Sequence, residues 1–265
     1  MKCMNNKKIL LKIQYDGSDF CGYQVQPQKR TVQGELNRVS AQLFGCECSV
    51  TGCSRTDSGV HARSFYACVE PCSDSSAHIP ARSLSRAYNS LLPNDISVVR
   101  AYEVDRSFHP RYDVISKEYV YLFYDSESKD PFLNKRAYQL YRPLSSESLL
   151  DVNKACGYLV GTYDFTSFMA QGSKIVDPTR EIYSAELFRY APIENLYVFK
   201  ISGNGFLYNM VRIIAGTMLE VACGKITPEI IPNIIEAKDR TKAGGTLPPY
   251  ALYLNKVHYN DKNIK

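Results

Sequence analysis

The chain has 265 residues, of which 45% are hydrophobic and 22% are charged, and its formal net charge at pH 7 is +5. This length predicts one large or two ordinary globular domains with a proper core. The charge is compatible with an anionic partner, but it is too small to identify one. No apolar run approaches the roughly 20 residues that span a bilayer, since the stretch 210–221 contains Arg212 and Glu220. We therefore expect no membrane segment.

The nine cysteines are an odd number, and Lys12 interrupts the apolar start Ile9-Leu10-Leu11, so no secretory signal is predicted. This pattern favours a reducing compartment, and the lack of a targeting extension favours bacterial cytoplasm. The spacings of Cys46 with Cys48 and of Cys68 with Cys72 lack the paired C-x-x-C of structural zinc. No metal site is predicted.

In the first half, residues 8–15 are predicted to form a strand that ends at Asp16-Gly17. Apolar residues then recur at helical spacing behind a Thr31 cap, at Val32, Leu36, Val39 and Leu43. Strands over 48–52 and 64–70, a helix over 82–92 and a strand over 96–104 complete the order β-α-β-β-α-β.

The second half repeats this order without obvious residue identity. We predict a strand over 118–124, a helix over 148–160, strands over 181–189 and 197–202, and a helix over 206–221. An extra helix beginning near Thr227-Pro228 carries Ile230, Ile231, Ile234 and Ile235, and residues 251–259 form the last strand.

These elements predict an α+β fold of two β-α-β-β-type halves whose antiparallel sheets carry helices on one face and can join edge to edge into one platform. We place the domains at residues 1–107 and 108–265, with the change near Asp105 to Arg111.

A lone carboxylate, Asp57, lies between a guanidinium and a turn in the segment CSRTDSGVHA, residues 53–62. Arg55 is near enough in sequence to keep that carboxylate ionised and oriented. Ser58-Gly59 predicts a turn that presents Asp57 outward from a strand end. An ionised carboxylate can act as a nucleophile or a base. The same pattern is typical of a solvated hairpin turn, so the local sequence leaves both roles open.

The Asp57 segment resembles the G-R-T-D-A-G-V-H-A signature of the TruA family of tRNA pseudouridine synthases. The similarity recurs in order along nearly the whole chain, at YDG (15–17), GYQ (22–24), TVQG (31–34), FHPR (108–111), KEYVY (117–121), DFTSF (164–168), FLYNMVR (206–212) and AKDRT (237–241). Ser54 replaces the usual Gly, Ser58 replaces the usual Ala, and Tyr23 stands where Trp is common. None of these departures removes a functional group, but they leave the fine substrate preference open.

The resemblance implies an enzyme that isomerises uridine to pseudouridine at positions 38, 39 and 40 of the tRNA anticodon stem-loop. It also implies a joined platform with a central active-site cleft, a homodimer, and no cofactor. Asp57 is then the essential carboxylate, acting either as nucleophile at ribose C1′ or as the base that removes a ribose proton.

Four further site residues follow from the resemblance. Tyr119 matches the active-site tyrosine that stacks on the flipped uracil, although its alternation with Tyr121 and Phe123 equally fits the core face of a strand. Arg212 is implied to pair with the catalytic aspartate, and a helix-surface arginine is the alternative. Leu252 matches a pocket position that equally fits a core strand. Arg55 is implied to enter the space left by the flipped nucleotide, where the alternative is a simple ion pair.

Ten cations are candidate phosphate contacts: Lys7, Lys8, Lys29, Arg30, Arg82, Arg86, Arg106, Arg111, Lys238 and Arg240. Lys29, Arg30 and Arg111 are placed in the substrate site.

Two other functions remain open on the residues alone. Paired β-α-β-β units with aromatic strands would suit a non-catalytic RNA-binding protein. Asp57 and His61, four residues apart, would suit a metal-dependent hydrolase, although Gly59 between them argues against a helix.

Overall fold

The computed structural model describes residues 7–72, 79–172, 175–193, 195–260 and 264. Contacts between residues divide the chain into two compact units. Unit 1 comprises Met1–Ile115 and Leu254–Lys265, and unit 2 comprises Ser116–Tyr253. Unit 1 therefore includes the C-terminal segment as well as the first part of the chain. The predicted division into domains at residues 1–107 and 108–265 stays a prediction.

Unit 1 contains four strands and two helices from the first part of the chain: β1 (Lys7–Tyr15), α1 (Val32–Phe44), β2 (Cys48–Gly52), β3 (His61–Pro71), α2 (Ala81–Asn89) and β4 (Ile96–Asp105). β1 pairs antiparallel with both β3 and β4, and β2 pairs antiparallel with β3. The predicted order β-α-β-β-α-β is confirmed.

Side chains of the strands and helices form the core of unit 1. The strand register places Ile13 opposite both Phe65 and Val98, and all three are buried. α1 begins where the Thr31 side chain accepts a hydrogen bond from the Gly34 amide, as the predicted cap requires. A hydrogen bond of 2.6 Å between Ser40 Oγ and Tyr88 Oη joins α1 to α2.

Unit 2 contains most of β5 (Val114–Asp125), followed by β6 (Tyr138–Leu140), α3 (Ser146–Leu159), β7 (Gly161–Asp164), β8 (Thr179–Arg189), β9 (Leu196–Gly203), α4 (Met210–Ala222) and α5 (Ile231–Ala237). β5, β9, β8 and β7 form an antiparallel array in that order, and β6 pairs parallel with β5. The last strand, β10 (Leu252–Tyr259), begins in unit 2 and continues into unit 1, where it neighbours β3. The α+β class and the two β-α-β-β-type halves are confirmed.

The start of α4 differs from the prediction. The apolar pattern predicts a helix from Phe206, whereas the helix begins at Met210. Asn209 has φ 58°, in the left-handed region, which the regular helix cannot include. Residues 208–209 form a turn before the helix, in which the Met210 amide donates to the Leu207 carbonyl over 3.1 Å, and the Leu207 amide donates to Met210 Sδ over 3.4 Å.

Within the residues that the structure describes, no helix is both long and apolar enough to cross a membrane.

Candidate active site

Asp57 lies on the connection between β2 and β3, in a tight turn. The Val60 amide donates to the Asp57 carbonyl over 3.2 Å, and Gly59 has φ 81°, a conformation that glycine adopts without strain. Asp57 is half-buried, and Thr56 and Val60 on either side of it in the turn are buried. The predicted turn is therefore present, and its flanking residues fix it to the body of unit 1.

The segment Phe20–Tyr23 supports this turn from one side. The Ser58 hydroxyl and the Gly59 amide both donate to the Phe20 carbonyl, over 3.1 and 3.3 Å, and the Tyr23 amide donates to the Thr56 carbonyl over 3.1 Å. Gly22 has φ 85°, and a Cβ at that position would lie 2.8 Å from the Thr56 carbonyl oxygen. The GYQ motif is thus a backbone support for the Asp57 turn.

The end of β1 supports the other side of the turn. Tyr15 Oη and Thr56 Oγ1 share a buried hydrogen bond of 2.7 Å. His61, only 2% exposed, places Nδ1 3.0 Å from the Gly17 amide nitrogen and 3.0 Å from Asp16 Oδ1. A Cβ on Gly17 would overlap the Val60 carbonyl group. Since His61 directs Nδ1 at Asp16 and Gly17, its visible contacts are those of a structural residue. The described residues contain no group of three His, Cys, Asp or Glu side chains that could hold a metal ion.

Arg55 does not make the local ion pair that the sequence predicts. Its side chain is exposed, and it forms no ion pair or hydrogen bond with any described residue, Asp57 included. Arg55 and Asp57 are two residues apart in sequence, but they are not paired in the structure. The Asp57 turn is fixed instead by bonds to Phe20, Tyr23 and Tyr15. Arg55 is left available to a ligand.

Tyr119 lies on β5 opposite Ile201 of β9 and is 7% exposed. Its ring meets the ring of Phe206 edge to face, with centroids 5.2 Å apart. Tyr121 and Phe123, on the same face, are buried more deeply, at 0 and 3% exposure. Tyr121 and Phe123 are thus clear core residues of β5. Tyr119 lies at the end of this aromatic row and is slightly more exposed, so both the core position and the active-site position remain open for it.

Arg212 lies in the first turn of α4 and is half-buried. Its Nε donates to the Leu247 carbonyl over 2.6 Å, and its Nη1 donates to Asn209 Oδ1 over 2.7 Å. The Leu247 amide in turn donates to the Arg212 carbonyl over 3.3 Å. These bonds orient the guanidinium, and they are compatible with both the pairing that the resemblance implies and a helix-surface arginine. The acidic partner that the resemblance implies stays a prediction.

A glycine-rich segment before β10 packs directly on α4. The Gly244 amide donates to Thr217 Oγ1 over 2.9 Å, and a Cβ on Gly216 would overlap the Gly245 carbonyl oxygen. Further along, the Pro248 carbonyl accepts a hydrogen bond of 2.9 Å from the Tyr121 hydroxyl. The sequence analysis did not predict this support for Arg212. The Gly-Gly pair at 244–245 and the Pro-Pro pair at 248–249 could have indicated an irregular backbone that approaches a neighbouring element closely.

Leu252 is 5% exposed at the first position of β10. Its burial agrees with the alternative that Leu252 is a core strand residue, and it is also compatible with a position in the base pocket.

Two of the predicted phosphate contacts are structural ion pairs. Arg30 binds Asp95 with two hydrogen bonds of 2.7 and 2.9 Å, stacks over Phe20 at 4.0 Å, and has its pKa raised, chiefly by the bond to Asp95. Lys8 donates to Glu70 over 3.1 Å, and its side chain is only 10% exposed. The prediction that these two cations meet phosphate is not supported, because carboxylates already pair with them: Asp95 in the turn before β4 and Glu70 on β3.

The other predicted cations divide by their contacts. Three make ion pairs or hydrogen bonds: Lys7 with Glu103, Lys238 with Asp164, and Arg240 with Ala243 and Thr246. Five are exposed and have no side-chain ion pair to any described residue: Lys29, Arg82, Arg86, Arg106 and Arg111.

The predicted site residues therefore fall in both units. Asp57, Arg55, Lys29, Arg30 and Arg111 lie in unit 1, and Tyr119, Arg212 and Leu252 lie in unit 2.

Comparisons with known proteins extend along almost the whole chain. A family model described as tRNA pseudouridine synthase matches residues 155–260. A relative from Ruminiclostridium cellulolyticum, named tRNA pseudouridine synthase A, is 42% identical over 253 residues, which cover 96% of this chain and 100% of the relative. Relatives of the same name from Caldicellulosiruptor bescii and Bacillus subtilis are each 43% identical, with the same coverage.

The chain belongs to the tRNA pseudouridine synthase A family. It is therefore an isomerase, and the resemblance read from the ordered motifs is confirmed. The family model begins after the Asp57 turn, but the relatives cover 96% of the chain. Membership of an isomerase family argues against both the non-catalytic RNA-binding protein and the metal-dependent hydrolase.

Proposed function

We propose that this tRNA pseudouridine synthase A family member isomerises uridine to pseudouridine at positions 38, 39 and 40 in the anticodon stem-loop of tRNA. The observation that carries the proposal is the Asp57 turn, since backbone bonds from Phe20 and Tyr23 and the buried Tyr15–Thr56 bond fix it on both sides. The reaction breaks the bond from ribose C1′ to uracil N1, turns the base and joins C1′ to C5. C5 loses a proton and N1 gains one, so the product is an isomer of the substrate. It needs no redox centre and no phosphoryl donor.

Asp57 is the residue that acts on the ribose. An ionised carboxylate can attack C1′ and form a covalent intermediate, or it can remove a ribose proton, and both routes start from the same ionised form. The fixed turn favours either route because it removes the cost of ordering the carboxylate in the transition state.

Tyr119, Arg212, Leu252 and Arg55 complete the proposed set of site residues. Tyr119 stacks on the extruded uracil, a role that suits a ring already fixed edge to face against Phe206. Arg212 supplies a positive charge for the carboxylate, and its two bonds to Leu247 and Asn209 set the direction of that charge. Leu252 lines the base pocket. Arg55, which is exposed and makes no ion pair within the described ranges, enters the space that the flipped nucleotide leaves.

The first experiment compares the wild type with Asp57→Asn on unmodified tRNA in EDTA, with pseudouridine measured at each anticodon-arm position. We expect product at positions 38 to 40 from the wild type, and a rate lower by at least about 1,000-fold in the variant, because the amide is neither a nucleophile nor a base. The matched control is Asp19→Asn, which changes an exposed aspartate of the same unit and should retain full activity.

A folded, tRNA-binding wild type that makes no pseudouridine at these positions would contradict the proposal. Product from Asp57→Asn at the wild-type rate would contradict the role of Asp57 alone.

We further propose that the protein is a cytoplasmic homodimer that binds tRNA. Large apolar side chains of unit 2 that are strongly exposed support an assembly: Phe132 is 91%, Tyr141 is 71% and Leu150 is 72% exposed. Sedimentation equilibrium should give twice the monomer mass, and a monomer at concentrations that support activity would contradict the dimer.

A further inference from the structure

Two cations face each other across adjacent strands of unit 1. The register of β1 with β4 places Lys12 directly opposite Arg100, and the register of β1 with β3 places Lys12 opposite Tyr66. Residues directly opposite in an antiparallel sheet project from the same face. Tyr66, Lys12 and Arg100 therefore form one row across three strands.

This arrangement costs stability, because like charges directly opposite in a sheet repel each other. Neither Lys12 nor Arg100 makes an ion pair with any residue that the structure describes. Other cations of β1 and of the loop before α1 do have carboxylates: Lys7 contacts Glu103, Lys8 contacts Glu70, and Arg30 contacts Asp95. Within the described residues, Lys12 and Arg100 thus differ from these three cations in having no carboxylate partner.

An aromatic ring fixes the position of one of these cations. The Arg100 guanidinium lies 5.1 Å from the centroid of the Tyr102 ring, two residues further along β4 and on the same face. Tyr102 is half-buried and lies opposite the buried Leu10 in the strand register. A stacked guanidinium loses less freedom when it binds an anion, and planar guanidinium groups match phosphate oxygens.

We propose that Lys12, Arg100 and the half-buried ring of Tyr102, the Lys12–Arg100 surface, bind the phosphate backbone of tRNA outside the reacting nucleotide. A phosphate supplies an anion, which these two cations lack among the described residues, and relieves the repulsion between them. This inference rests on the proposed function and adds a surface that contributes to affinity without taking part in the chemistry.

The test measures the dissociation constant of unmodified tRNA over a series of KCl concentrations for the wild type, Lys12→Gln, Arg100→Gln and the double variant. In the double variant we expect tRNA binding to weaken roughly 5- to 30-fold. The slope of log affinity against log salt should become shallower by about 1 for each cation removed. KM should rise in parallel, while kcat at saturating tRNA stays at the wild-type value.

The control is the double variant Lys129→Gln, Lys225→Gln, which removes the same charge from two exposed positions of unit 2 that have no ion pair within the described part of the chain. It should bind tRNA more tightly than the Lys12, Arg100 double variant and keep a steeper salt slope. Thermal unfolding checks the fold: removing the like-charge pair should leave the melting temperature equal or higher.

Unchanged affinity and salt slope in the Lys12, Arg100 double variant would overturn the surface, even if the wild type makes pseudouridine. Conversely, a weaker, less salt-dependent complex would support the surface even if the wild type made no product at positions 38 to 40, and the proposed function alone would then fail.

Discussion

Two tyrosines beside the Asp57 turn differ in what their hydroxyl groups contact. Tyr15 and Tyr23 are both buried, at 5 and 3% exposure, and both rings pack against Phe65. Tyr15 shares a hydrogen bond with Thr56, whereas the Tyr23 hydroxyl has no partner within the part of the chain that the structure describes. Burial raises the pKa of Tyr23 well above its ordinary value, so this hydroxyl stays neutral. The same substitution should therefore have different effects at the two positions.

Tyr15→Phe should lower the free energy of unfolding by about 1–2 kcal/mol, because Thr56 Oγ1 loses a buried partner. The turn that carries Asp57 would also be less well fixed, so kcat should fall while tRNA affinity is retained. Urea unfolding and steady-state kinetics measure the two effects. A variant with wild-type stability and wild-type kcat would show that the bond does not position the turn.

Tyr23→Phe should leave the free energy of unfolding unchanged or raise it by up to about 1–2 kcal/mol, since it removes an unsatisfied buried hydroxyl at the cost of a small gap. Its ring would still stack on Phe65, 4.4 Å away between centroids. Urea unfolding beside Tyr15→Phe is the measurement, and a loss as large as that of Tyr15→Phe would reveal a partner for the hydroxyl.

At the scale of elements, two glycines occupy helices in very different surroundings. Gly157 is exposed on α3, and a Cβ there would meet nothing within 4 Å. Gly216 is buried on α4, where a Cβ would overlap the Gly245 carbonyl oxygen. Helix propensity alone favours alanine at both positions by about 1 kcal/mol, so the surroundings decide the sign.

Gly216→Ala should destabilise the protein by several kcal/mol, because a backbone carbonyl cannot move aside as a flexible side chain can, and overpacking of about one methyl group costs roughly 1–3 kcal/mol even where the neighbours adjust. The displaced segment carries Leu247, so activity should also fall through Arg212. Chemical denaturation and kcat together test this.

Gly157→Ala is the matched substitution on α3 and should stabilise the protein by about 0.5–1 kcal/mol with unchanged kcat. If both alanine variants shifted stability by the same amount and sign, the close approach of residues 244–245 to α4 would not be the cause.

At the scale of the whole molecule, unfolding at acidic pH is linked to buried or bonded carboxylates. Burial by itself raises the pKa of Asp164, but hydrogen bonds from Thr166 and the ion pair with Lys238 outweigh it, and the pKa is lowered from 3.8. A carboxylate whose pKa is lower in the folded state contributes stability above its unfolded pKa and loses it as the pH falls through the folded pKa.

The Asp164→Asn variant should therefore be less stable than the wild type at neutral pH and should lose less stability on acidification below about pH 4. The free energy of unfolding measured by urea at a series of pH values would show the two curves converging in acid. If the free energies of unfolding of the two proteins ran parallel over that pH range, Asp164 would not contribute to the loss of stability in acid. The pKa of Asp239 is also lowered, chiefly by hydrogen bonds from Thr241. The Asp164→Asn variant keeps Asp239, so its stability still falls in acid to the extent that Asp239 contributes.

The local elements were largely predictable because their signals are local. β2 occupies the predicted residues Cys48–Gly52, and the Thr31 cap is present, since alternation, helical spacing and capping each act within a few residues. β6 and β7, of three and four residues, were missed because strands this short depend on distant partners: Tyr138 pairs with Phe123, and Thr162 pairs with Glu181. The start of α4 was wrong because apolar residues at 206–208 continue the helical pattern into a turn.

The sequence by itself determined the fold class, the family and the Asp57 motif, because each follows from ordered motifs and periodic patterns along the chain. Only the tertiary structure decided what the cations and the supporting glycines do. The sequence predicted Arg30 and Lys8 as phosphate contacts, but the structure pairs them with Asp95 and Glu70. The sequence indicated no role for Lys12, and only the strand pairing shows that Arg100 lies opposite it. The physical reason is that charge and close packing act over a few ångströms in space, whatever the separation along the chain.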